Sequence, residues 1–248
     1  MDLGLNGRTA IVFGASSGLG LASAEALAEE GANVVMLARR PELLEREAER
    51  IGGVAVAGDV REPEHLERAV STAVATYGEI DILVPNSGGP PGAKAVEIDA
   101  QQVQEAVDLL LLPVVRVVQL ALPHLLASDQ GRIVLISSLA VREPSPHLVL
   151  TNSVRPGVVG YMKSLANELG ENGITVNSVG PGRLATPRMT DLYGPDGPPA
   201  EDLARIPAGR LGEPRELGDL VAFLCSKRAS YISGTHIPVD GGMYRGLL

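Results

Sequence analysis

Residues 9–20, TAIVFGASSGLG, decide the fold. TAIVF is too uniformly apolar for a strand with one wet face, so it predicts a strand covered on both sides. Glycines follow at 14, 18 and 20, and then a helical pattern begins. At such a junction glycine lets the backbone turn tightly and approach a pyrophosphate, while the free amides and dipole of the helix N-terminus attract its charge. The spacing is G-x3-G-x-G. Gly14, Gly18 and Gly20, with Ser16, Ser17 and Leu19 between them, therefore form a candidate dinucleotide loop whose reading depends on its context.

That context is a repeat of the same unit. NVVML (33–37), GVAVA (53–57), DILVP (81–85), RIVLIS (132–137), ITVNSV (174–179) and HIPV (236–239) read as further strands. Residues 21–31, 41–51, 63–78, 101–127, 156–170 and 214–227 read as helices, with Pro41, Pro63 and Pro214 at first helical positions. Repeated β-α units imply an α/β fold, a Rossmann-type doubly wound parallel sheet of about seven strands with helices on both faces. No linker or shift in composition divides the chain, so residues 1–248 are expected to form a single dinucleotide-binding domain.

Three segments carry sharper expectations. The helix 101–127 contains VDLLLLPVVRVVQLAL and has little polar face, which points to burial against the sheet and against either a second subunit or a further helix of its own chain. Residues 183–212 are rich in Pro and Gly and predict a mobile lid over the substrate side. Pro156 predicts a break near 152–156, or a helix that starts only there.

Composition narrows the function. A net charge of -9 and 45% hydrophobic residues favour a small-molecule protein over one binding nucleic acid or an anionic membrane. The longest apolar run is interrupted by Asp108, Pro113, Arg116 and Gln119, which argues against a membrane span. A lone Cys225 allows no internal disulfide and fits a reducing cytoplasm, and the N-terminus shows no leader pattern. No cluster suggests a metal.

Ligands of open parallel sheets bind beyond the carboxyl ends of the strands, so the residues just after each strand belong together. They are Ala38-Arg39-Arg40, Gly58-Asp59-Val60, Asn86-Ser87-Gly88-Gly89, Ser137-Ser138 and Gly180-Pro181-Gly182. An acidic residue after the second strand would bind a ribose 2′-hydroxyl, whereas Arg39 suits a 2′-phosphate. NADP(H) is therefore the preferred cofactor, with NAD(H) the alternative. Asp59 is read as an adenine contact rather than a helix cap, because Pro63 begins the next helix.

These residues, in order, together with Thr186 and YISGTHIPVDGG (231–242), resemble the short-chain dehydrogenase/reductase family, most closely its 3-oxoacyl-carrier-protein reductase-like branch. The resemblance implies a nicotinamide cofactor, a carbonyl or alcohol substrate, and a homodimer or homotetramer built partly on the 101–127 and 150–170 helices. It implies that Ser138 hydrogen-bonds the substrate carbonyl. Asn86 and Gly88 would line the cofactor site, and Pro181, Gly182 and Thr186 would hold the nicotinamide half. The family's tyrosine falls at Thr151, its lysine at Arg155 and its supporting asparagine at Asp108. Phe13 also departs from the family pattern, as does Pro85-Asn86-Ser87.

The substitutions alter proton chemistry more than binding. A threonine hydroxyl cannot be tuned to donate a proton near neutrality, and losing a general acid costs roughly 10²–10⁴-fold. Arg155 retains a fixed charge for the cofactor ribose but does not transfer protons, and Asp108 is expected to pair with it. His147, Tyr161 and Lys94 are the other conceivable donors, each with a simpler role as a loop, distant or surface residue. Two functions follow: a reductase with an atypical catalytic site, or an inactive NADP(H)-binding sensor or scaffold.

Overall fold

The computed structural model describes residues 1–195 and 197–247. Seven strands form one parallel sheet: β1 (Thr9–Phe13), β2 (Asn33–Ala38), β3 (Val54–Ala57), β4 (Ile82–Val84), β5 (Arg132–Ile136), β6 (Thr175–Pro181) and β7 (His236–Val239). Their order is β3-β2-β1-β4-β5-β6-β7. The winding reverses between β1 and β4, which leaves a crevice where helices depart in opposite directions.

Strand periodicity explains why every strand is apolar. Ile11 and Phe13 of β1 point into one core with Val35, Leu83 and Leu135, whereas Ala10 and Val12 point into another with Val34, Val84 and Ile136. Helices α3 (Pro63–Tyr77), α4 (Ala100–Leu110), α5 (Leu112–Ala127) and α6 (Val149–Leu169) cover the first face. Helices α1 (Gly18–Glu29) and α2 (Pro41–Ile51) cover the second, joined by α9 (Pro214–Cys225), which follows the short α7 (Pro187–Tyr193) and α8 (Ala200–Leu203). Phe13 is 1% exposed, and burying such a ring contributes about 3 kcal/mol.

Two proline expectations are overturned in opposite senses. The predicted helix 101–127 is two helices, because Pro113 has no N–H to bond the carbonyl of Leu109 and its ring crowds that turn. The predicted interruption at Pro156 is absent: α6 runs unbroken through it, with Asn152 N donating to Leu148 O at 2.8 Å. The loss of one bond is offset by burial of Leu150, Val154, Val158 and Met162 along the same helix.

The segment 100–127 has the length and composition to cross a membrane, its most apolar 18 residues having a mean hydropathy of 1.9. Its inner face is core, carrying buried Ala106, Leu110, Val114, Val117, Val118 and Ala121. At the amino ends of the strands, fully buried Asp81 accepts hydrogen bonds from Arg8 Nη1 and Thr9 N at 2.9 Å and from Ser128 Oγ at 2.5 Å. This carboxylate anchors the sheet at the end opposite the crevice.

Candidate active site

The glycine loop sits at the crevice with the geometry its sequence demands. Gly14 and Gly18 have φ of +62° and +59°, the left-handed region that side chains resist. A Cβ on Gly20 would lie 2.4 Å from the Gly14 carbonyl oxygen, so only glycine lets α1 start this close to β1. Across the switch point Asn86 Nδ2 donates to the Phe13 carbonyl at 3.1 Å. Asn86 thus clamps the ends of β1 and β4 together beside the loop.

Arg40, rather than Arg39, reaches this loop. Its Nη2 donates to Ser17 Oγ at 2.6 Å and to Ser16 Oγ at 3.3 Å, while Arg39 makes no such contact. Both arginines were visible after β2, but only the turn into α2 decides which one folds back. Asp59 is not the cap of α3, as expected, since Glu62 occupies that position. Its carboxylate is engaged by Arg61, through the backbone N at 3.0 Å and Nη2 at 2.7 Å. The Arg61 guanidinium holds the Asp59 carboxyl below its ordinary range. Asp59 N donates to His65 Nδ1 at 2.9 Å, which fixes the turn that carries Val60.

The carboxyl ends of β5 and β6 supply the far wall. Ser138 caps a single turn of 3-10 helix at residues 139–141, and its Oγ accepts from Ala140 N at 3.1 Å, which leaves the hydroxyl proton for another acceptor. Behind it stands His236, whose Nδ1 lies 2.9 Å from Ser178 Oγ. A Cβ on Gly180 would fall 2.4 Å from His236 Nε2 and 3.4 Å from the Ser138 carbonyl, so this glycine makes room for the imidazole. Burial, reinforced by the positive charge of Arg142, pushes the imidazole down to about 4, and it is neutral at physiological pH.

Thr151 and Arg155 lie one turn apart on α6 and face inward, 5% and 7% exposed. The Thr151 hydroxyl has no hydrogen-bond partner among the described residues. Arg155 Nη1 donates to the Ile136 carbonyl at 3.4 Å and Nη2 to the Ser87 carbonyl at 3.5 Å, which joins α6 to the ends of β5 and β4. Burial, with some help from Arg188, lowers its guanidinium to about 10, so it remains charged at neutral pH.

The expected Asp108–Arg155 pair is not formed. Asp108 Oδ1 instead accepts from Gln104 Nε2 at 2.8 Å, because the i to i+4 spacing on α4 offers a local donor. The other proton candidates stand apart too. His147 is exposed in the loop before α6, at φ +59°, and Lys94 pairs with Glu97 at 3.1 Å. Burial raises the Tyr161 phenol above its ordinary value, away from the range of a neutral-pH acid.

Among the described residues of 183–212, the expected lid, the chain forms the two short helices α7 and α8. Ala185 N donates to Gly212 O at 2.8 Å and Gly212 N to Arg183 O at 3.0 Å, which pinches the insert at its neck. Inside, Asp202 accepts from Tyr193 Oη at 2.9 Å and pairs with Arg183 at 3.1 Å. Thr186 caps α7, and its methyl would lie 3.5 Å from a Cβ on Gly18, so α7 starts against the cofactor loop. Pro181 ends β6, and Gly182, whose N donates to Val239 O at 2.9 Å, has Asp240 where a Cβ would point. Gly88 is exposed on the β4 side of the crevice.

A glycine loop on a doubly wound sheet, a serine after β5 and an insert after β6 define a nucleotide-dependent oxidoreductase of the short-chain type. The family profile described as enoyl-(acyl carrier protein) reductase matches residues 14–244, and the chain belongs to the short-chain dehydrogenase/reductase family. It is 34% identical over 244 residues to the 3-oxoacyl-[acyl-carrier-protein] reductase FabG of Vibrio cholerae, covering 98% of this chain and 99% of the relative. Oxidoreductase UcpA of Salmonella typhimurium is 35% identical over 252 residues, covering 96% and 95%. Among solved structures, L-sorbose reductase of Gluconobacter frateurii, complexed with NADPH and L-sorbose, superposes with a TM-score of 0.92 at 31% identity, covering both chains fully. The chain is accordingly an NAD(P)-dependent oxidoreductase of this family.

Proposed function

We propose that the chain is an NADP(H)-dependent carbonyl reductase or alcohol dehydrogenase whose proton comes from water instead of an ionisable side chain. The reading is carried by Ser138: its hydroxyl, engaged among the described residues as an acceptor, stands at the same carboxyl end of the sheet as an intact cofactor loop. The residues fit the cofactor, because Gly14 and Gly18 in the left-handed region and the close approach at Gly20 set the first turn of α1 against the end of β1, where its free amides suit a pyrophosphate. The bound nicotinamide would supply or accept a hydride. Gly14 to Gly20 would hold the pyrophosphate, Arg40 with Ser16 and Ser17 the 2′-phosphate, and Asp59 and Val60 the adenine. Asn86, Gly88, Pro181, Gly182 and Thr186 would flank the nicotinamide half.

Within that cleft Ser138 donates to the substrate carbonyl, with Thr151 as a second neutral donor. Arg155 supplies positive charge near the cofactor ribose and the developing alkoxide, which stabilises negative charge without giving up its own proton. Preference for NADP(H) is supported by the Arg40 contact and by the NADPH named for the sorbose reductase.

Assembly through the outer face of α4 and α5 is supported by apolar side chains there, among them Val107, Leu109, Leu111, Leu120 and Leu122, that the chain's own core covers only in part. A homodimer or homotetramer covers the remainder, giving a solution mass at a multiple of 25.9 kDa. A cytoplasmic site is supported by the unpaired, buried thiol of Cys225.

The test is a carbonyl and alcohol panel with NADPH or NADP on the parent and Ser138→Ala. Turnover that falls roughly 10²-fold or more in Ser138→Ala supports the reductase. Tight NADPH binding with no turnover on any substrate supports the sensor instead, a reading favoured by the absence, among the described residues, of a near-neutral acid beside Ser138.

A further inference from the structure

Arg155 is a buried cation whose needs the chain does not meet. Both of its hydrogen bonds, at 3.4 and 3.5 Å, lie at the outer limit for an N–H donor. Among the described residues it has no carboxylate within ion-pair distance. Arg132, 3% exposed and likewise without a carboxylate, shows what a satisfied structural arginine looks like here. It donates to the carbonyls of Gly131 at 2.7 Å, Gly173 at 3.2 Å and Ser226 at 3.3 Å. Arg155 has two long contacts where Arg132 has three, and a charge removed from water without a partner is costly.

A second guanidinium converges on the same place. Arg188, on α7, lies across Gly89 in the loop after β4: a Cβ there would be 2.8 Å from its Nη1 and 3.2 Å from its Cζ. The guanidinium rests where a side chain at 89 would point, two residues beyond Ser87, whose carbonyl contacts Arg155. Arg188 forms no ion pair and donates no hydrogen bond among the described residues. Its positive charge is felt at Arg155. Eight other arginines, at 8, 46, 50, 61, 183, 205, 210 and 215, are ion-paired. These two instead share the 87–89 loop, Arg155 reaching it from α6 and Arg188 from α7.

We propose that Arg155 and Arg188 form a recognition site for a carboxylate carried by the carbonyl or alcohol substrate, seated beside Ser87–Gly89. The proposal rests on reading this cleft as a reductase site, and it narrows the substrates to oxo acids or hydroxy acids. An anion between the guanidinium groups supplies the acceptors that Arg155 lacks and relieves the repulsion between like charges. Arg188 closes over it from the insert, so substrate binding and ordering of α7 are one event. The cofactor pyrophosphate is the other anion within the cleft, and the experiment separates the two sources.

The experiment is calorimetric titration of the NADP-saturated protein with 2-oxobutanoate and acetoacetate, each against neutral 2-butanone, on the parent, Arg188→Gln and Arg188→Lys. Affinity for at least one oxo acid is expected to exceed that for 2-butanone by tenfold or more, as charge-assisted hydrogen bonds imply about 10–100-fold. Arg188→Gln is expected to abolish that ratio and Arg188→Lys to restore part of it. A parent with no preference for the oxo acids overturns the proposal. So does an Arg188→Gln protein that keeps the ratio while its NADPH affinity falls, an outcome that assigns the anion site to the cofactor. Binding is read without turnover: an Arg188-dependent preference with no NADPH oxidation rejects the reductase and keeps the anion site. Ser138-dependent reduction of 2-butanone with no oxo-acid preference does the reverse.

Discussion

The double substitution Thr151→Tyr with Arg155→Lys examines whether proton delivery limits this enzyme. Positions 151 and 155 lie one turn apart on the unbroken helix α6, with side chains about 5–6 Å apart at Cβ. A phenol at 151 would therefore sit within reach of an ammonium at 155, whose charge lowers the phenol towards working pH. A restored general acid is worth roughly 10²–10⁴-fold in rate, about 3–5 kcal/mol of barrier. Against this stands the bulk of tyrosine at a position 5% exposed, an overpacking cost of about 1–3 kcal/mol in stability. The expected result is a protein that melts several degrees lower yet reduces its best carbonyl substrate at least about 100-fold faster per kcat/KM. Its rate should also acquire a falling limb at alkaline pH that the parent lacks. The assay follows NADPH consumption across pH, with NADPH titration and calorimetric melting as controls. A folded, NADPH-binding variant no faster than the parent would refute the assignment of the missing proton donor to position 151.

Other perturbations address neighbouring features. Gly20→Ala forces a methyl to within 2.4 Å of backbone, so α1 must shift; a stability loss of about 1–3 kcal/mol in urea and weaker NADPH binding are expected. Arg40→Ala should weaken NADPH about 10–100-fold while sparing NADH, and Arg39→Ala should do markedly less; equal effects would remove the distinction. His236 titrates at about 4 when folded and near 6.5 when unfolded, so between these values the unfolded chain binds the extra proton and stability is lost as the pH is lowered through that range. The loss reaches about 3 kcal/mol at most, and His236→Gln should flatten that part of the stability profile measured by chemical denaturation. Cys225, buried and pushed up to about 12, should resist alkylation in the native protein and react only on unfolding.

The sheet was legible because parallel strands buried on both faces leave a plain mark, an apolar run bounded by turns. Helix ends at Pro41 and Pro63 were legible for a similarly local reason. Prolines inside helices were not: Pro113 splits a helix and Pro156 does not, and the difference lies in packing against the sheet. Strand order brings Ser138 to the carboxyl end of the sheet, whereas Thr151 and Arg155, inside α6, are located only through the family resemblance. The partners were not legible, since Asp108 preferred a neighbour on its own helix, and the choice between Arg39 and Arg40 depended on a turn. Arg188 carried no signal in the chain, because its guanidinium acquires meaning only when the insert folds across Gly89.

The neck of that insert gives it a modular character. Residues 185 and 212 are tied by backbone hydrogen bonds alone, and the bridge between Leu184 and Gly212 makes no demand on the side chains beyond it. Replacement of the segment between them therefore exchanges one wall of the cleft, with two contacts to be kept: Thr186 against Gly18 of the nucleotide loop, and Ala208 N donating to Gly241 O at 3.0 Å. The crossing point is a natural splice junction: a chimera joined at 184 and 212 that keeps those two contacts is expected to exchange the specificity wall on an otherwise unchanged platform.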